Sequence, residues 1–160
     1  MGEATHPRTG LTKYFFLGKK SEAPKAIEEL HEIASREGHP LKTLRLDYGG
    51  ELDSDDFDEW AKAKGVQVQH SSPSHSEQNG MAERPLRTHS EGTAANLLQA
   101  NLHGRHWPEA WGHSVFTKNR MPSSTRGNVT PYELYYGRKP DLSILAPFGC
   151  LAYARTPDQS

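Results

Sequence analysis

The spacing of apolar positions changes several times along the chain, and each change marks an element. "KYFFL" (13–17) is a short aromatic run of the kind that fills a buried strand. Ala26, Ile27, Leu30, Ile33 and Ala34 then recur at helical spacing, with Ser21 offering an N-cap and Gly38 a stop. Pro24 falls in the first turn of that helix, where its missing N–H does little harm. "LKTLRLD" (41–47) places Leu41, Leu44 and Leu46 in a strand, and Asp47-Tyr48-Gly49-Gly50 turns the chain. "DSDDFDEWAKAKG" (53–65) reads as a helix, with acids in its first turn to suit the macrodipole and Phe57, Trp60 and Ala61 facing inward. "VQVQ" (66–69) alternates with period two. This order of strand, helix, strand, helix, strand predicts an α/β fold with a largely parallel core.

Beyond it, "SSPSHSEQNG" (71–80) has the composition of a flexible loop. A helix carrying Ala94, Ala95, Leu97 and Leu98 follows to about residue 101. Another opens near Trp107-Pro108, with Trp107, Trp111, Val115 and Phe116 on one side. Thr130-Pro131 has the form of an N-cap followed by proline at the first helical position, opening "PYELYYG". "FGCLAYAR" (148–155) reads as a final strand. Residues 1–12 read as a disordered leader, 13–122 as the core and 123–160 as an extension following it.

Composition narrows the class. The chain has 160 residues, one domain's worth, and a mean hydropathy of -0.81. It contains no apolar run long enough to span a membrane and no apolar signal core at its start, so the expectation is an intracellular protein without a membrane partner. A single cysteine, Cys150, excludes an internal disulfide and a Cys-rich zinc module. Net charge is -1, but it is unevenly spread. Acids crowd residues 51–59, whereas from 84 to 139 Arg84, Arg87, Arg105, Lys118, Arg120, Arg126, Arg138 and Lys139 face only Glu91, Glu109 and Glu133. Such a half suits a phosphate backbone as well as it suits a solvated surface of mixed charge.

Cleaving or transferring a phosphodiester requires an activated oxygen nucleophile and a stabilised leaving oxygen. Paired divalent ions held by carboxylates do both. Magnesium keeps several waters, so two or three Asp or Glu side chains suffice. Asp47, at the end of a strand, and Glu83, at the approach to a helix, are candidates for such ligands; by spacing alone, a surface turn and a first-turn helix acid explain them better. The histidines, including His70, His75, His103 and His106, read as surface and loop residues. Trp60, Trp107 and Trp111 have the surface to stack bases, but their helical spacing favours core packing.

The wording around the two carboxylates is more specific. "LRLDYGGEL" and "SSPSHSEQNGMAERPLRT" together resemble the integrase catalytic core of copia-type retrotransposons, within the ribonuclease H-like retroviral integrase superfamily. Matching positions are Asp47, Gly49, Gly50, Glu51, Gln78, Asn79, Gly80, Ala82, Glu83 and Arg84. The resemblance continues through "LLQANLHGRHWPEAW", "NRMPSS", "TPYELYYGRKPDLSILAPFGC" and "LAYAR", and so covers residues 13–155. It implies a ribonuclease H-like α/β fold and a polynucleotidyl transferase that trims and joins element DNA into target DNA with Mg²⁺ or Mn²⁺. It further implies action in the nucleus and a possible homo-oligomer. Asp47 and Glu83 take the places of a catalytic Asp and the catalytic Glu. Gln78, Asn79 and Gly80 take those of the mobile loop before the catalytic helix, where Gly80 serves as hinge. Arg84 and Arg87, with Gln78 and Asn79, are the expected nucleic-acid contacts.

Three departures qualify the resemblance. The family's first catalytic Asp lies on its first strand, yet no Asp precedes Asp47 here. The expected fold is therefore a core lacking the first two strands of a sheet ordered 3-2-1-4-5, with the remaining strands left to pair anew, dimerise or stay partly open as edges. Tyr48 stands where Asn is usual. Pro85 stands two residues past Glu83; inside a helix it would delete a hydrogen bond, and at a helix start it would leave Glu83 on the margin. Three functional readings follow: a strand-transfer core that is inactive as this chain alone, a non-catalytic nucleic-acid or protein interaction module, or a degenerate element remnant with no function.

Overall fold

The computed structural model describes residues 2–46, 52, 54–70 and 76–153, with the backbone alone for 76–83. Two compact units emerge, one of residues 1–4 and 14–84 and the other of residues 5–13 and 85–160.

The first unit carries the α/β order read from the sequence. A 3-10 turn at Lys20–Glu22 leads into α1 (Ala23–Arg36). The expected cap, Ser21, sits inside that turn; the Glu22 carboxylate instead accepts from the N–H groups of Gly18 at 2.8 Å and Lys19 at 3.3 Å. Ile27, Leu30 and Ala34 bury one face of α1, while Ile33 stays on the exposed side. Strand β3 (Thr43–Leu46) is followed by α2 (Asp55–Lys64), whose start is fixed by Ser54 accepting from Phe57 N–H. Gly65 ends α2 in the left-handed region at φ +67°, a conformation that costs glycine no Cβ clash. Phe57 and Ala61 are buried, and Trp60 stacks on Phe57 at 5.3 Å. Strand β4 (Gln67–His70) then pairs parallel with β3, from Thr43↔Gln67 to Leu46↔His70.

At the chain's start the strand read in "KYFFL" finds a partner that the sequence did not announce. Residues 2–5, read as leader, form β1 (Gly2–Thr5), which pairs with β2 (Thr12–Phe15), the strand foreseen in "KYFFL". The connection over 6–11 is far too short for a parallel crossover, so the two make a hairpin. The sheets are separate, β1-β2 and β3-β4. Composition concealed β1 because its small and polar residues lack an apolar rhythm.

The second unit is helical. It holds the later part of α3 (Ser76–Gln99), then α4 (Trp107–Arg120) and α5 (Pro131–Tyr136). Its core mixes apolar Ala110, Trp111, Val115 and Tyr135 with buried polar His89, Thr93, Ser114 and Asn119. His89 meets Trp111 edge-on at 6.0 Å, and Asn96 donates to the Ala110 carbonyl at 3.3 Å. At Gly92 the helices approach so closely that a Cβ would lie 2.4 Å from Ser114 Oγ. Asn119 works as a surrogate strand: its Oδ1 accepts from Thr12 N–H at 2.9 Å and its Nδ2 donates to Thr12 C=O at 2.7 Å. Thr130 caps α5 by accepting from Glu133 N–H, as the Thr-Pro pair foretold.

Two expectations are corrected. The segment 76–80 is helix, not loop, because Glu77, Gln78, Met81, Ala82 and Glu83 are good helix formers that outweigh the interspersed Ser, Asn and Gly. The final strand expected over 148–155 is absent from 148–153: Gly149 adopts φ +76°, Cys150 N–H bonds back to the Pro147 carbonyl, and Leu151 and Tyr153 are exposed. Residues 154 and 155 lie outside the described residues. No described helix is long and apolar enough to cross a membrane.

Candidate metal and nucleic-acid site

Parallel pairing decides where a site belongs. β3 and β4 run the same way and end in register at Leu46 and His70, so both chains leave the sheet at one carboxyl edge. In open α/β sheets, ligands bind outside that edge. Asp47 follows Leu46 directly. Its own position lies outside the described residues, as do Tyr48, Gly49, Gly50 and Glu51. Beside the edge, Arg45 donates to the Gln69 amide oxygen across the strands at 3.3 Å. His70, read from sequence as a loop residue, is the last residue of β4 and is exposed there. The short alternating "VQVQH" carried that signal, one residue beyond where it was read.

The chain that leaves β4 re-enters the described structure as α3. Gln78, Asn79, Gly80 and Glu83 all have helical backbone, so the hinge foreseen at Gly80 is not a loop residue. Helical periodicity sets positions 79 and 83 one turn apart on the same side. Arg84 follows with an exposed side chain. Pro85 lies inside α3, so of the two alternatives the helix does run through it, and the division between the compact units falls there. Arg87, in the second unit, is exposed and pairs with Glu91 at 2.9 Å, an i,i+4 pair with side chains 81% and 66% accessible. A bridge that wet is weak, and the guanidinium can exchange its partner for a phosphate at little cost.

Asp47 and Glu83 are both hard oxygen donors, the chemistry that Mg²⁺ and Mn²⁺ take. Among the described residues no group of three or more His, Cys, Asp or Glu side chains is placed to hold a metal. Away from this edge, Asp141 is held below its ordinary value, first by the Ser143 hydroxyl and then by the Ser143 N–H, both donating to it.

The chain is 32% identical over 146 residues to the retrovirus-related Pol polyprotein of transposon TNT 1-94 from Nicotiana tabacum, a match over 91% of this chain and 11% of that protein. It is 30% identical over 113 residues to the Pol polyprotein of transposon RE1 from Arabidopsis thaliana, over 71% of this chain and 8% of that protein. It thus spans about a tenth of the length of these relatives. No protein-family model matches it. Among solved structures, the catalytic core domain of BIV integrase superposes with a TM-score of 0.66 at 20% identity, covering 84% of each chain. The HTLV-2 integrase catalytic core domain, in complex with magnesium in a trimeric form, gives 0.60 at 16% identity over 79% of this chain and 78% of that one.

The fold is therefore that of a ribonuclease H-like integrase catalytic core. The sequence is kin to the Pol polyproteins of plant retrotransposons, and the fold is one shared with integrase catalytic cores.

Proposed function

We propose that this chain is the DNA-handling core of a copia-type element, built for metal-dependent strand cleavage and transfer. The observation that carries this reading is the shared carboxyl edge of β3 and β4: Asp47 is the next residue in sequence after β3, and Glu83 stands on the helix that follows β4. In this reading Asp47 and Glu83 hold Mg²⁺ or Mn²⁺, and Arg84 and Arg87, with Gln78 and Asn79, grip the DNA backbone. Bound divalent ions would activate the attacking oxygen and stabilise the leaving one. The guanidinium groups neutralise phosphate charge, which ties affinity to salt. The setting is the nucleus at the integration step, with further copies of the chain as partners.

Alone, the chain is inactive in this proposal. Two carboxylates, Asp47 and Glu83, are too few to bridge and flank two ions. Pro85 inside α3 favours a second reading, a module that binds nucleic acid without catalysis, since the proline disturbs the helix two residues from Glu83.

Fluorescence anisotropy on labelled duplex DNA, in Mn²⁺ or in chelator, separates the two. The first reading expects binding that Mn²⁺ strengthens, that Asp47→Asn weakens only in Mn²⁺, and that Arg84→Gln/Arg87→Gln weakens in both. Metal-blind binding with Asp47→Asn unchanged supports the module. Efficient joining of element-end DNA by this chain alone would overturn the proposed inactivity.

A further inference from the structure

The second unit carries a constellation that the metal reading does not use. Helix α5 is short, and its tyrosines are placed unequally. Tyr135 faces inward at 5% exposure, edge-on to His6 at 5.6 Å and under Lys13 Nζ at 5.6 Å. Tyr132 and Tyr136, one turn apart, are half-buried, with ring centroids 4.6 Å apart and planes inclined by 45°. Tyr136 also meets Tyr135 at 4.9 Å.

Arg120 ends α4 against these rings. Its guanidinium carbon lies 3.5 Å from the Phe116 centroid and 4.9 Å from that of Tyr132, while Nη1 donates to the Phe116 carbonyl. No carboxylate pairs with it among the described residues, and its Nε is buried without a partner. Its guanidinium is thus held against the rings of Phe116 and Tyr132. Exposed Arg138 and Lys139 follow α5 directly, and exposed Lys118 precedes Arg120. From 118 to 140 the bases are Lys118, Arg120, Arg126, Arg138 and Lys139, and the acid is Glu133.

We propose that Tyr132 and Tyr136, with Arg120, Arg138 and Lys139, form a docking platform for an unpaired nucleic-acid strand. Rings placed among cations are what such a strand requires: its bases are free to stack on aromatic faces while its phosphates meet the positive charge. A duplex keeps its bases stacked inside and would use the cations alone. The platform is independent of Asp47, Glu83 and any metal, and so goes beyond the function proposed above.

The test is anisotropy of a fluorescein-labelled oligo-dT of about 16 nucleotides, and of a duplex of equal length, titrated with the full chain in chelator across a salt series. Arg138→Gln/Lys139→Gln touches only exposed side chains, so the fold should stand. It is expected to flatten the log K against log salt slope on oligo-dT by about 1.4, the single-strand value for two lost phosphate contacts. Tyr136→Leu should weaken oligo-dT about fivefold or more and leave the duplex within about twofold, whereas Tyr136→Phe should bind like the parent. Thermal unfolding of each variant checks the fold, and the double charge variant decides if Tyr136→Leu does not fold. Unchanged oligo-dT affinity and salt slope in that variant overturn the proposal. So does a loss of single-strand binding that follows Arg84→Gln/Arg87→Gln instead, which would assign the strand to α3; loss of duplex binding alone in that variant leaves the platform intact and bears on the integrase reading.

Discussion

Pro85 offers a prediction whose sign, not only its size, is set by the structure. It is an interior residue of a helix running from Ser76 to Gln99. It therefore denies the residue 81 carbonyl its helical donor, and its ring crowds the preceding turn. Interior proline costs about 3 kcal/mol relative to alanine. Part of that is offset in the unfolded chain, where proline removes about 0.4–1 kcal/mol of conformational freedom. Pro85→Ala is thus expected to stabilise the chain by about 2 kcal/mol. Guanidinium unfolding followed by circular dichroism reads this as a higher midpoint at unchanged m-value. Hydrogen exchange should also find the new amide at 85 protected. Had the helix instead begun at Arg84, proline would sit where its missing N–H is harmless, and alanine would leave stability unchanged or lower it. A midpoint that stays or falls therefore refutes a continuous α3, and with it the placement of Glu83 inside a helix.

Other expectations follow from the second unit's polar core. Asn119→Leu strips partners from the N–H and C=O of Thr12, which is 4% exposed, and at about 1–3 kcal/mol per orphaned group should cost about 2–6 kcal/mol in denaturant unfolding; a loss below about 0.5 kcal/mol would deny the clamp its role. Gly92→Ala should destabilise by about 1–3 kcal/mol despite alanine's better helix propensity, because its Cβ meets Ser114 Oγ. Adding Ser114→Ala should restore most of that loss, and strictly additive effects would contradict the close approach. Asp141, held below its ordinary value by Ser143, contributes stability above the unfolded-state value that is lost as pH falls through the lower folded one. A carboxyl-carbon NMR titration should place its midpoint below the usual Asp range, and Ser143→Ala should raise it.

How much of this was legible in the sequence depended on what each segment buries. α1 and α2 were readable because Ile27, Leu30, Ala34, Phe57 and Ala61 bury at helical spacing. The parallel β3-β4 pair followed from the intervening helix. The buried side of α3 carries His89, Gly92, Thr93 and Asn96, which no hydrophobic pattern marks. Its exposed positions include Ala94, Ala95 and Leu98, the residues on which the periodicity rested. β1 escaped for a similar reason, since its pairing is through backbone groups and composition says nothing of those. At the site, the local motif singled out Asp47 and Glu83, but only register shows that Leu46 and His70 end at one edge. The clamp of Asn119 on Thr12, 107 positions apart, belongs to tertiary structure alone.

Binding of one divalent ion by Asp47 and Glu83 together is the central requirement of an integrase-type site. Thermal unfolding of the chain with and without millimolar Mn²⁺, beside Asp47→Asn and Glu83→Gln, measures this. Ion at about 100 times its dissociation constant adds about 2.7 kcal/mol, a rise of roughly 5–11 °C for a domain of this size. That rise is expected in the parent chain, and its loss in each variant. An equal rise in all three, or none in the parent, would contradict binding by this pair.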